Sequence, residues 1–197
     1  MLVRLDQNRV NQQMLEGLED VSWIDKKTAS GNACHVPAAI RGLVSNDPAV
    51  QKASYWKLDN HVVLQSDLYD SAPHVVPFLL EILSSGISSG KHYVYDLIHE
   101  IANGYAPEEA ICDFEGENKS LAATCREVSL RGLDMYFGDI KDQRSDVRVK
   151  ALELIMSFNE EKEIIVPRLK KLLVKENDRV FCQQLERAIN EFEHLPF

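Results

Sequence analysis

The chain has 197 residues, with 31 acidic against 22 basic side chains (formal net charge −9), 45% apolar and 27% charged residues. Those proportions belong to an ordinary globular protein with one sizeable core, and the acidity weighs against nucleic acid as a partner. No apolar run approaches the ~20 residues of a membrane span; the longest, around His74–Leu83, is interrupted by Pro77.

The opening Met1-Leu-Val-Arg-Leu-Asp has no basic patch followed by an apolar stretch, so no signal peptide is expected. Cys34, Cys112, Cys125 and Cys182 lie far apart with no C-x-x-C pair. They read as reduced thiols, most of them core filler, in a cytoplasmic protein.

Taken in chain order, an N-terminal helix is predicted over Gln7–Leu18, then a loop through Ser30-Gly31-Asn32. Four helix pairs follow: Val36–Val44 with Pro48–Leu64, Ala72–Ser84 with Lys91–Asn103, Leu121–Phe137 with Asp146–Phe158, and Ile164–Lys175 with Arg179–Phe192. Val-Pro recurs at Val36-Pro37, Val76-Pro77 and Val166-Pro167, and each proline is expected in the first turn of a helix, where its missing N–H is harmless. Asn46-Asp47 and Asn177-Asp178 precede Val50 and Val180, each thirteen residues beyond a Val-Pro proline, as helix-start signals. Val147, Ala151, Leu154, Ile155 and Phe158 keep a 3.6-residue spacing. The unit is thus helix, short turn, helix, repeating every ~33–40 residues. Gly104–Lys119 has no clear period and reads as an insertion at one edge. No segment alternates at period two, so no sheet is expected.

The excess charge is localised. Between Asp59 and Lys119 stand eleven acids and two bases, Lys91 and Lys119; the remainder is balanced at twenty of each. Such a segment repels phosphates and steers a basic partner.

At these residues the chain resembles the HEAT-repeat superfamily. Ser145-Asp-Val-Arg-Val-Lys-Ala-Leu-Glu-Leu looks like the second helix of a HEAT unit. The stretch from Tyr55-Trp-Lys-Leu-Asp-Asn-His to Ala72, running on into Val76-Pro-Phe-Leu-Leu-Glu-Ile-Leu, is similar to small bacterial HEAT-like proteins, some of them immunity proteins of polymorphic toxin systems. The resemblance implies an all-α fold, an α-solenoid of about four antiparallel helix pairs in a single domain, and a function in binding protein.

Three groups are candidates for partner contact. His92, Asp96, His99 and Asn103 share one helix face, opposite the apolar Val94, Leu97, Ile98, Ile101 and Ala102. Two histidines and an aspartate suggest Zn²⁺, but His92 and His99 stand two turns, about 10 Å, apart, so no metal is expected. Trp56, Asp59, Asn60 and His61, with Gln65 beyond, form the second group, with capping and partner contact both open as roles. The third is the acidic insertion, Glu108, Glu109, Asp113, Glu115 and Glu117, which lacks the ligand spacing of a Ca²⁺ loop. Cys125 beside Arg126 falls on an apolar periodicity with Leu121 and Val128 and reads as core.

No G-x-S-x-G, H-E-x-x-H, GxGxxG or P-loop occurs, so neither a catalytic residue nor a cofactor is expected. The expected function is a non-catalytic protein-binding module, most concretely an immunity protein that neutralises a bacterial toxin through an acidic surface. A solenoid adaptor for endogenous proteins is the alternative. HEAT-like DNA glycosylases want a basic groove, which the charge map opposes, and HEAT-like bilin lyases would travel with a pigment.

Overall fold

The computed structural model describes residues 14–86 and 89–194. Within them the chain is mostly helical: α1 Val36–Leu43, α2 Pro48–Asp59, α3 Ala72–Ser84, α4 Lys91–Ala102, α5 Leu121–Leu130, α6 Leu133–Asp139, α7 Ser145–Ser157, α8 Lys162–Leu173 and α9 Arg179–His194. Each short turn folds a helix back on its predecessor, so that α1 packs on α2, α3 on α4, α6 on α7 and α8 on α9. Across pairs, α1 meets α3 and α3 meets α5, while α2 meets α4 and α4 meets α7. Through the first three pairs, first members pack on first members and second on second, with α4 also packing on α5, and the core lies between them. Val76, Leu79, Ile82, Leu97, Ile98, Ile101, Val128 and Ile155 are at most 1% exposed there.

The start signals at two helices act as capping chemistry dictates. The Asp47 carboxylate accepts the Ala49 N–H at 2.8 Å, and Asp178 accepts from Val180 at 2.9 Å and from Phe181 at 3.4 Å. Pro37 stands in the first turn of α1. Pro77 and Pro167 do not: each lies inside its helix, α3 or α8. Helix α3 starts five residues earlier, with Pro73 in the first-turn position, and α8 grows out of a 3-10 turn at Asn159–Glu161. Both interior prolines are exposed, so their rings press on the preceding turn from the solvent side.

The stretch predicted as one helix over Leu121–Phe137 is two. In a continuous helix the Ser129 carbonyl would accept from Leu133; here it accepts from Gly132 N–H at 3.2 Å and from the buried Tyr136 hydroxyl at 2.6 Å. A Cβ at Gly132 would sit 2.4 Å from that hydroxyl and 2.5 Å from Leu80 Cδ2, so only glycine permits this approach. The predicted N-terminal helix falls largely outside the described residues. Its last part, Glu16–Glu19, is a 3-10 turn preceded by Leu15 at φ 68°.

Against expectation, the described residues contain three two-stranded antiparallel hairpins: β1 Lys27–Thr28 with β2 Gly31–Asn32, β3 Val63–Leu64 with β4 Asp67–Leu68, and β5 Ile111–Phe114 with β6 Glu117–Ser120. The last occupies the supposedly aperiodic acidic insertion. Two of the turns have both central residues at positive φ, Gln65 (51°) with Ser66 (71°) and Glu115 (54°) with Gly116 (78°), the backbone of two-residue hairpins. The hairpins fill connections between pairs and are tied together. Ala29 N–H donates to His61 O at 2.9 Å, Ser71 N–H to Lys27 O at 3.3 Å, and Leu68 N–H to Tyr105 O at 2.8 Å. Lys26 Nζ reaches Asp113 O at 3.4 Å.

Cations lock the pairs to one another. Arg126 on α5 donates to Ala102 O at the end of α4 (3.2 Å), to Asn103 Oδ1 (3.1 Å) and to Ser157 O at the end of α7. Its Nε and Nη2 hold Glu160 at 2.5 and 2.7 Å, and its guanidinium lies 5.1 Å from the Phe158 ring centroid. At the opposite end of α4, buried Lys91 grips both Asp139 oxygens at 2.9 Å, and the Tyr95 hydroxyl donates to the same carboxylate at 2.8 Å. Arg148 joins the last pair: it donates to Ile140 O at 2.8 Å, pairs with Glu176 and stacks 3.8 Å from the Phe181 centroid.

Arg126→Ala removes the partner of two helix-terminal carbonyls and a carboxylate together. The expected loss is about 2–4 kcal/mol of unfolding free energy, with Arg126→Lys recovering only part because a single ammonium nitrogen cannot span acceptors that three separate guanidinium nitrogens reach. Urea denaturation followed by circular dichroism measures it; a loss below ~0.5 kcal/mol would show that the clamp is ornamental.

Candidate partner-binding face

Adjacent helices α2 and α4 bring two of the predicted groups onto one face. Trp56 is 49% exposed and stands edge-on to Tyr55 (centroids 4.9 Å); Tyr55 stacks on Tyr93 at 5.1 Å across the helix boundary, and Tyr93 meets His92 at 4.0 Å. The ring row continues to α7, where Asp146 Oδ2 lies 4.0 Å from His92 Nδ1.

Carboxylates crowd the same face. The Tyr55 hydroxyl donates to Asp59 at 3.4 Å. Partial burial, with Glu100 and Asp96 nearby, lifts the Asp59 carboxyl above its ordinary range, and the same three acids add to the burial that lifts Tyr55. Asp96 is neutralised by Lys150 at 3.0 Å, which also holds Glu153 at 3.1 Å. Among the described residues no lysine, arginine or histidine lies within ion-pair distance of Asp59 or Glu100. His99, further along α4, lines a separate cleft of ≈ 350 Å³ with Glu153, Met156 and Phe192.

Other predicted residues have different surroundings. Asn60 and Asn103 are matched C-caps: each folds its Nδ2 back at 2.8 Å onto the carbonyl four residues earlier, Trp56 and His99. His61 meets His35 edge-on with centroids 4.6 Å apart. In the acidic hairpin, Glu115 is held by Arg131 at 2.6 and 3.0 Å, which keeps its carboxyl below the usual range, and Glu117 pairs with Lys119 at 3.1 Å. Glu108, Glu109 and Asp113 are exposed. The hairpin packs on α5, and among the described residues no hydrogen bond, ion pair or ring contact joins it to the aromatic row. The acidic insertion and the His92/Asp96 face are two surfaces.

Sequence reasoning missed Tyr55, Tyr93 and Glu100. Tyr55 and Tyr93 each neighbour a residue already singled out, Trp56 and His92, but only the packing of α2 on α4 shows that their rings meet. Cys112 and Cys125 are buried, and burial pushes both thiols up; Cys34 is exposed. Among the described residues no group of three or more histidine, cysteine or acidic side chains is placed to hold a metal ion, and no helix is long and apolar enough to cross a membrane. No protein-family model, curated protein or solved structure matches the chain.

The hairpin edge also carries buried imidazole nitrogens without hydrogen-bond partners, on His35, His61 and His74. Burial, with His61 and Lys57 nearby, lowers the His35 pKa; burial and Lys26 lower that of His74, against smaller opposite pulls from Asp70 and Asp113. The unfolded chain takes up protons near the ordinary 6.5, whereas the folded chain resists until lower pH. The unfolded state therefore binds more protons in this window, and stability falls as pH drops below about 6.5. The urea midpoint is expected to fall between about pH 7.5 and about pH 5.5, less steeply in His74→Phe; a flat midpoint would contradict it.

Proposed function

We propose that the chain is a non-catalytic protein-binding module, an α-solenoid of HEAT-like helix pairs whose α2/α4 face receives a basic segment of a partner. The pairwise packing of first on first and second on second members through the first three pairs supports the solenoid reading, since stacked helix pairs bury their apolar faces in that way. The observation that carries the binding reading is the exposed Trp56 in a row of rings beside Asp59 and Glu100, two carboxylates with no cation partner among the described residues. A guanidinium or ammonium arriving there meets an aromatic face and half-desolvated carboxylates together, the combination that makes tryptophan a hot spot. Such a site needs no chemistry beyond shape and charge.

The most concrete form is an immunity protein that neutralises a bacterial toxin in the cytoplasm by direct contact. Trp56 and Asp59 lie in the segment that resembles small bacterial HEAT-like proteins. The toxin's contact surface is basic, and Glu108, Glu109 and Asp113 on the separate hairpin act at long range by steering its approach.

Capture from cells of the source organism, followed by surface plasmon resonance at two ionic strengths, tests this. Trp56→Ala and Glu100→Gln should each weaken the complex by roughly thirtyfold, mainly through faster dissociation, with unchanged unfolding midpoints. Glu108→Gln with Glu109→Gln should slow association and flatten its salt dependence while leaving dissociation alone. A captured partner that binds Trp56→Ala with wild-type kinetics would remove the α2/α4 face from consideration.

A further inference from the structure

The opposite sign of charge gathers elsewhere. Between α6 and α8 a concave pocket of ≈ 230 Å³ is lined by Phe137, Lys141, Arg168, Lys171, Leu172 and Lys175. Among the described residues Lys141, Lys171 and Lys175 have no carboxylate partner, as is true of Lys26, Lys27, Lys52 and Lys57; what sets the three apart is that they line one hollow. Arg168 pairs at 2.7 Å with Asp134, a side chain 93% exposed, and such a surface pair contributes little and exchanges readily. The lysines at the end of α8 complement the helix dipole in part. That role accounts for Lys170, which pairs with Glu193 at 2.6 Å on another side, but not for the convergence of Lys141 from outside α8 on the same hollow.

We propose that this pocket is a phosphate-binding site. Three ammoniums act as mobile point charges and one guanidinium as a planar fork, an arrangement suited to the compact charge and several acceptor oxygens of a phosphate group. The pocket is smaller than the ~300 Å³ at which drug-sized ligands begin. Arg168 already covers one face of the Phe137 ring at 3.8 Å and the residue is 5% exposed, so the ring offers little surface for an organic body to stack on. The group recognised is the phosphate itself, free in solution or carried on a small ester or a phosphorylated side chain. The site is independent of the α2/α4 face.

Heteronuclear NMR titration of the full chain with inorganic phosphate at low ionic strength tests the site. Amide shifts should saturate and centre on Phe137–Lys141 and Arg168–Lys175. Lys141→Gln with Lys171→Gln should weaken binding by roughly tenfold or more. Both side chains are exposed, so folding should be untouched, and Lys52→Gln on α2 should bind as wild type. A short phosphoserine peptide binding more tightly than inorganic phosphate would place the group on a protein, and equal affinity would make free phosphate sufficient. The proposal is overturned by absent or non-saturating shifts, or by shifts unchanged in the double variant. Equal binding of the matching glutamate peptide would overturn it too, as would self-association that the double variant abolishes without any response to phosphate.

Discussion

A single guanidinium, that of Arg126, closes the ends of two helices that belong to different pairs. The last carbonyls of a helix have no partner within it and carry the negative end of its dipole. Arg126 meets one such carbonyl on α4 and one on α7, while its plane rests on Phe158. Because Glu160 is bound to the same group, the cation is neutralised where it sits and its carboxyl partner is held below the ordinary range. The spacing of α4 and α7 at this end is set by the size of that fork. Lys91, Tyr95 and Asp139 fix the other end of α4, so the helix that bears Tyr93, His92, Asp96 and Glu100 is pinned at both termini. The aromatic face depends on this pinning, since a ring contact between Tyr55 and Tyr93 survives only if α2 and α4 keep their register.

The net charge of −9 describes the surface poorly. Many cations lie inside the architecture, between pairs, and are neutralised there: Lys91, Arg126, Arg148 and Lys150 each join α4, α5 or α7 to a neighbour. Among the described residues, some of the charges without a counter-ion gather by place. Asp59 and Glu100 lie on the α2/α4 face, and Lys141, Lys171 and Lys175 round the pocket beneath α6. A protein with two such regions presents opposite preferences at different faces, and neither is visible in the total.

Much of the helical framework was legible because its signals are local. Asp47 and Asp178 are capping residues whose targets lie two or three positions on, and the bounds of α3 follow from a mainly apolar stretch between Ser71 and Ser85. Cys125 was readable as core from its neighbours four and three away. The hairpins were not legible, for two reasons. Strands of two to four residues are too short for a period to be established, and in β5 the exposed residues are Ile111 and Asp113 while Cys112 and Phe114 are buried, so polarity does not track the pleat. The turns add nothing, since Gln65-Ser66 carries none of the Asn-Gly or Asp-Gly chemistry that announces a type I′ turn. The interior prolines misled because Val-Pro marks a proline, not a helix start. The candidate site was half legible: Trp56, His92 and Asp96 stood out as residues, but the row they form is a product of helix packing, which local sequence does not encode.

The hairpins also bear on how the molecule comes apart. A helix pair can open alone unless something couples it to the next. Backbone bonds from Ala29 to His61, Ser71 to Lys27 and Leu68 to Tyr105 supply that coupling along the first two pairs. From α7 onward no hairpin intervenes among the described residues, and the last pair is held chiefly by side chains such as Arg148. Amide exchange would then run as a gradient along the chain: slow and concerted in the amino-terminal half, with α8 and α9 fraying first as a separate unit.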